Sequence, residues 1–172
     1  MAINTGIFGD KTSFKERYIE DHAKLGELVG YWKNLGLKIV LTSGTFDLFH
    51  IGHAQYLEKA KELGDILIVG VDSDEKVKKR KGPHRPIVPE EERTLILAHT
   101  RHVDVITLKH ADDQKNNLIK IVRPDILVVS KSTKHKEGEV DEKAQYCGKI
   151  VLMEPQSETS TSAKLRLIQI KK

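Results

Sequence analysis

Five short, nearly continuous apolar runs punctuate the chain: KIVLTS (38–43), DILIVGV (65–71), VDVITL (103–108), DILVVS (125–130) and KIVLME (149–154). Each is rich in Val and Ile, and none alternates apolar with polar as a strand with one wet face does. Such runs predict strands buried on both sides of a parallel sheet. Between them the apolar spacing turns helical and predicts helices over 52–63, 89–99, 113–122, 139–147 and 160–170. Strands alternating with helices imply right-handed crossovers, and hence a doubly wound α/β domain with a five-stranded parallel sheet and helices on both faces. In such domains ligands sit at the carboxyl ends of the strands, where the strand order reverses. The residues that follow each strand are therefore the ones to inspect.

Ahead of the first strand, residues 1–12 read as a loose arm. Ser13-Phe14-Lys15-Glu16 then has capping-box spacing, and Tyr18, Leu25, Leu28, Val29, Trp32 and Leu35 recur at helical intervals. This predicts one amphipathic lead-in helix ending near Gly36, softened at Gly26 and Gly30. Residues 1–36 thus form an arm and helix, and 37–172 the domain proper. After the second strand the basic stretch KVKKRKGPHRP (76–86) breaks the pattern. Its Gly82, Pro83 and Pro86 predict a loop, with Pro89 and the glutamates after it opening the next helix.

Composition narrows the class of protein. The chain has 172 residues, enough for one domain with a proper core. A net charge of +4, from 29 basic and 25 acidic side chains, is too mild for a dedicated nucleic-acid binder but suits an enzyme with anionic ligands. The single cysteine, Cys147, excludes an intrachain disulfide and suits a reducing compartment. No apolar run approaches the roughly 20 residues of a membrane span, and the amino terminus lacks a signal-peptide core. A cytoplasmic enzyme is the expectation.

The densest chemistry lies in GTFDLFHIGH, Gly44 to His53. A glycine at a strand end lets backbone approach a ligand, and the free N–H groups of the following helix attract phosphate. His50 and His53 are three apart, so both can face that anion site and donate hydrogen bonds to charge building in a phosphoryl-type transition state. Two plainer readings stay open, a helix cap and a metal site, although no third ligand besides Asp47 is apparent. Ser160-Thr161-Ser162 opens the last helix and offers hydroxyls to further phosphate oxygens; an ordinary N-cap needs one hydroxyl. The basic stretch supplies Lys78, Lys79, Arg80, Lys81 and Arg85, and the helix after it Arg93. Most should be solvated surface charges. Lys81, beside Gly82, is the favoured candidate to reach a phosphate. Without interleaved aromatics the run does not point to nucleic acid.

Taken in order, the HxGH at a strand-to-helix turn, the segment LGDILIVGVDSDEKVKKRKGPHRPIVPEEER (63–93) and the late STS resemble the cytidylyltransferase-like nucleotidyltransferase family. The resemblance runs from about Leu37 to Ile170. It implies a Rossmann-like fold and nucleotidyl transfer: a phosphate oxygen of a small acceptor attacks the α-phosphorus of a nucleoside triphosphate, and pyrophosphate leaves. By that resemblance His50 and His53 bind the triphosphate and stabilise the transition state, and Thr45 and Phe46 border the nucleotide. Asp47 and Arg85 would belong to the acceptor side, Lys81 would bridge the phosphates, and Arg93 would support the anion cluster. Ser160, Thr161 and Ser162 would hold the β and γ phosphates. Magnesium is implied on the triphosphate, without a dedicated carboxylate cage, and so is a homodimer to which the lead-in helix, with Tyr18 and Trp32, could contribute surface.

Family members that use CTP usually carry an arginine where Pro155 stands, which favours ATP and a sugar phosphate such as heptose 1-phosphate. Members of that second group usually have Lys-Gly-Gly where this chain has Ser130-Lys131-Ser132, and DLFHIGHA leans the other way. CTP with glycerol 3-phosphate, phosphoethanolamine or phosphocholine is therefore the alternative, and a nucleotide- or RNA-binding module without turnover is the non-enzymatic one.

Overall fold

Continuous Val/Ile runs become strands covered on both faces, because alternate side chains then enter two separate cores. The computed structural model describes residues 13–131 and 138–154. In it β1 (Ile39–Gly44), β2 (Ile66–Asp72), β3 (Val105–Lys109), β4 (Ile126–Ser130) and β5 (Lys149–Met153) form one parallel sheet in the order β3-β2-β1-β4-β5. The expected doubly wound α/β sheet, Rossmann-like, is the one observed. Its order reverses between β1 and β4, where β1 hydrogen-bonds with both β2 and β4.

One face is covered by α2 (His22–Asn34) and α6 (Asn117–Val122): Leu25, Val29, Trp32, Leu118, Ile119 and Val122 pack on Ile39, Leu41, Ile66 and Ile68. The other is covered by α3 (Ile51–Lys61) and α5 (Glu90–Ala98), whose Tyr56, Leu57, Ala60 and Leu97 meet Val40, Leu67 and Val69. Gly70 of β2 allows the close approach of α6, since a Cβ there would lie 2.5 Å from Leu118 Cδ2.

The lead-in segment differs from its prediction. It is two helices, α1 (Phe14–Arg17) and α2, separated where Tyr18 pairs with Ile106 and the Ile19 N–H donates to the Ile106 carbonyl at 2.9 Å. Pairing with the otherwise open edge of β3 outweighs helix continuation, and Asp21 restarts the helix by accepting from the N–H groups of Ala23 and Lys24 at 2.8 and 3.3 Å. Trp32 is buried in the core of its own chain rather than presented to a partner.

The basic stretch also differs: α4 (Asp74–Lys81) is helical through Lys81, and the loop starts at Gly82 with φ +94°. Ser73 Oγ caps it by accepting from Lys76 N–H at 3.2 Å, Asp74 and Glu75 occupy the first turn, and Val77 alone is buried. Where a helix was predicted over 113–122, the chain turns at Asn116 (φ 61°) before α6 begins. Another predicted over 139–147 is α7 (Glu139–Ala144). The arm 1–12 and the predicted helix 160–170 lie outside the described residues. No helix among the described residues is long and apolar enough to cross a membrane.

Candidate active site

The loop from Thr45 to His50 leaves β1 at the reversal point and delivers the chain to α3. Phe46 (φ 51°) and Leu48 (φ 47°) both adopt left-handed backbone, which non-glycine residues avoid. Such strain costs on the order of 1–3 kcal/mol per residue and persists only where the surroundings over-determine it.

Here three sets of contacts do so. The Phe46 ring, 6 % exposed, lies over Gly44, where a Cβ would stand 3.0 Å from it. Asp47, 2 % exposed, accepts from Arg85 Nη2 at 2.7 Å, Arg85 Nε at 2.9 Å, and the N–H groups of Ile87 and Val88 at 3.1 and 3.0 Å. Burial alone would push the Asp47 carboxyl up, but these donors outweigh it and hold it below the ordinary 3.8. Arg93, 1 % exposed, donates to the carbonyls of Thr45 at 2.5 Å, Asp72 at 2.9 Å and Val88 at 2.9 Å, and to Asp74 Oδ1 at 2.7 Å.

The structure thus gives Asp47, Arg85 and Arg93 a common task, fixing the loop, where the family resemblance implies contacts with ligands.

His50 is the N-cap of α3: its Nδ1 accepts from the Gly52 N–H at 3.1 Å. In the neutral ring this places the proton on Nε2, which is then a donor. The His53 ring stacks on it with centroids 4.0 Å apart, and Phe46 and Phe49 meet His53 at 5.4 and 5.5 Å. The two imidazoles therefore stand side by side at the positive end of an 11-residue helix. The capping role does not displace the other reading, because the cap uses one ring nitrogen of one histidine. Among the described residues no group of three His, Cys, Asp or Glu side chains comes together as a metal site.

Two further contacts place α3. Tyr56 OH and Thr42 Oγ1 are hydrogen-bonded at 2.7 Å and lie 3.3 and 3.0 Å from the Val128 carbonyl; with one proton each, Tyr56 donates to Thr42 and Thr42 to the carbonyl in the arrangement that pairs both. They join α3, β1 and β4 below the reversal point, and burial pushes the Tyr56 phenol up to about 12.

Beyond Thr45, the end of β2 carries Asp72, 3 % exposed, which accepts from Arg80 Nη2 at 2.7 Å and Lys109 Nζ at 3.3 Å. Arg80 also donates to Thr45 Oγ1 at 2.8 Å. Lys81, the expected phosphate ligand, is exposed at the end of α4 and has no ion-pair partner among the described residues; desolvation, then Arg80 and Arg85, hold its ammonium below the ordinary 10.5. Sequence reasoning names Arg80 only among the basic stretch, behind Lys81, and misses Lys109. The readable signal was the 72/76/80 spacing, which sets Lys76 and Arg80 one turn apart on α4. Ser160, Thr161 and Ser162 lie outside the described residues, as do Pro155 and Ser132.

Residues 41–167 match the family model described as cytidylyltransferase-like. The chain is 41 % identical over 151 residues (88 % of its length) to the "Bifunctional protein HldE" of a Nitratiruptor species, and 46 % identical over 132 residues (77 %) to that of a Helicobacter pylori strain. It spans 32 % and 28 % of those relatives, about a third of their length. Among solved structures, a lipopolysaccharide core biosynthesis protein from Thermoplasma volcanium superposes with a TM-score of 0.62 at 32 % identity, covering 71 % of this chain and all (100 %) of that one. A pantoate-beta-alanine ligase from Francisella tularensis, solved in complex with beta-gamma ATP and beta-alanine, superposes at a TM-score of 0.58 over 84 % of this chain and 68 % of its own, and at 15 % identity shares the fold alone.

Proposed function

The chain belongs to the cytidylyltransferase-like family, and from that premise we propose that it is a nucleotidyltransferase that moves AMP from ATP to a sugar 1-phosphate, such as heptose 1-phosphate. The observation that carries this reading is the stacked His50/His53 pair at the amino end of α3, directly after β1 where the strand order reverses. Similarity to the HldE proteins and to a lipopolysaccharide core biosynthesis protein supports a surface-polysaccharide sugar as the acceptor.

The acceptor's phosphate oxygen attacks the α-phosphorus; a P–O–P bond forms, the bond from Pα to the β-phosphate's bridging oxygen breaks, and pyrophosphate leaves with the electron pair. A phosphate monoester is already ionised near pH 7, so the nucleophile needs no general base. His50 Nε2 and the His53 ring donate to oxygens whose charge grows in the transition state, and the α3 amino end adds its dipole. Lys81 approaches the phosphates from α4. Asp47, Arg85 and Arg93 hold the loop that borders the nucleotide through Thr45 and Phe46. Asp47 and Asp72 are both committed to basic partners. A magnesium ion accompanying the triphosphate would therefore be held through phosphate oxygens and water, supplying further charge neutralisation. We place the protein in the cytoplasm as a homodimer; light scattering tests the second point.

Pyrophosphate release tests the reaction, with ATP and CTP each paired with heptose 1-phosphate, glycerol 3-phosphate, phosphoethanolamine and phosphocholine. Turnover with ATP and the sugar phosphate is the expected result. Turnover only with CTP would move the protein to the alternative branch, and none with any pairing would overturn the reading.

A further inference from the structure

We propose that Lys76, Arg80 and Lys109, gathered around Asp72 at the carboxyl ends of β2 and β3, form an anion site for the phosphate monoester of the acceptor. The inference rests on the nucleotidyltransferase reading, and it gives a ligand to residues that have no role in the histidine site: Lys109 lies outside the family stretch 63–93, and Lys76 and Arg80 lie within it.

Asp72 ends β2 and pairs in register with Lys109 of β3. Its two oxygens are divided between Lys109 Nζ and Arg80 Nη2. Lys76, one turn before Arg80 on α4, donates from Nζ to the His110 carbonyl at 2.8 Å. Asp113 is the other carboxylate close to Lys76, and its Oδ2 accepts from the His110 N–H at 2.7 Å. Three cations against two carboxylates leave the cluster positive. One of those carboxylates, Asp113, is tied to backbone.

Neutralising Asp72 does not require so many cations. Desolvation, then Lys109 beside it, pushes the Lys76 ammonium below the ordinary 10.5, so these two lysines repel each other as they stand. A dianion between them would remove that repulsion.

The surrounding shape suits a ligand at the strand ends. A Cβ on Gly70 would lie 2.9 Å from Lys109 Cδ and 3.1 Å from Ser43 Oγ, so a bare stretch of β2 lets the lysine stem and this exposed serine border the same floor. The Arg80 side chain is 50 % exposed, and its bond to Thr45 Oγ1 joins the cluster to the first residue of the loop that leads to His50. An acceptor phosphate held here adjoins the nucleotide border.

Calorimetric titration of inorganic phosphate and, separately, of ATP into the wild-type protein and the Lys76→Met, Lys109→Met and Lys109→Arg variants tests the site. Phosphate is expected to bind about tenfold more weakly to each Met variant, as for loss of one charged hydrogen bond. Lys109→Arg should stay near wild type, and ATP affinity should hold throughout. The KM for the acceptor should rise in the same variants with kcat little changed. Phosphate binding that is unaltered by both Met variants, or ATP affinity that falls as far as phosphate affinity, overturns the proposal. If Lys109→Met does not fold, Lys76→Met, which is not bonded to Asp72, decides the matter. Phosphate binding is read without turnover, so the result stands apart from whether pyrophosphate is released.

Discussion

Arg93, buried on α5, holds the carbonyl oxygen of Thr45, 48 positions earlier, in a 2.5 Å hydrogen bond. The same guanidinium fastens the end of β2, the start of α4 and the approach to α5. Arg93→Met leaves several buried acceptors unpaired and should lower stability by at least about 3 kcal/mol, read from urea unfolding. Arg93→Lys keeps the charge but cannot reproduce the planar fork. Its expected signature is a fall in kcat of about a hundredfold with little change in the KM for ATP, the mark of a displaced loop.

His50 combines a structural and a chemical part, and two substitutions separate them. His50→Ala removes the cap and should cost about 1 kcal/mol. His50→Asn keeps a capping oxygen, so thermal unfolding should stay near wild type. Both should reduce turnover by about 10²–10³-fold, as should His53→Ala, if the imidazoles donate to transition-state charge. Full activity in His50→Asn would leave that histidine as a cap and nothing more.

Acid should weaken the fold through Asp47 and Asp72. Burial works to raise both carboxyls, yet both are held below their ordinary 3.8 in the folded chain, Asp47 by Val88, Ile87 and Arg85 and Asp72 by Lys109 and Arg80. A depressed folded value means that this stabilisation is complete above the unfolded value and is lost as pH falls below 3.8 through the folded value. Urea midpoints recorded from neutral pH down to about pH 2 should drop below about pH 4. Asp47→Asn should start less stable and lose less on acidification.

Tyr56→Phe tests the tie below the reversal point. Thr42 keeps its 3.0 Å bond to the Val128 carbonyl, so no buried hydroxyl is stranded, and the loss should be about 1 kcal/mol in unfolding free energy. A much larger loss would mean that the phenol does more than join α3 to β4.

The strands were legible because burial on both faces leaves an unbroken apolar signature, and the turn bearing His50 and His53 stood out for the opposite reason, polar chemistry at a strand end. What stayed hidden depended on distant partners. Tyr18 fits a helical spacing, yet it pairs with the edge of β3, a choice no local pattern records. Lys76 to Lys81 resembles a loop because one buried residue, Val77, is too little to mark an amphipathic face. Asp47, Arg85 and Arg93 stand out as unexplained charges because no local pattern joins them to their partners: Asp47 pairs with Arg85 and the Ile87 and Val88 N–H groups, and Arg93 with Asp74 and the carbonyls of Thr45, Asp72 and Val88. The glycine after Lys81 draws attention to that lysine, and nothing local marks Arg80, whose contacts with Asp72 and Thr45 depend on α4 running on through Lys81.

The left-handed residues of the Thr45–His50 loop are held from Arg85, Ile87, Val88 and Arg93. The ten-residue histidine signature therefore owes its shape to segments that follow it in the chain, the approach to α5 and α5 itself. A graft of Gly44 to His53 onto another parallel sheet would carry the letters of the motif without its geometry. A transplant that kept the geometry would have to carry β1 through α5 and also the Val128 carbonyl of β4, against which α3 is set.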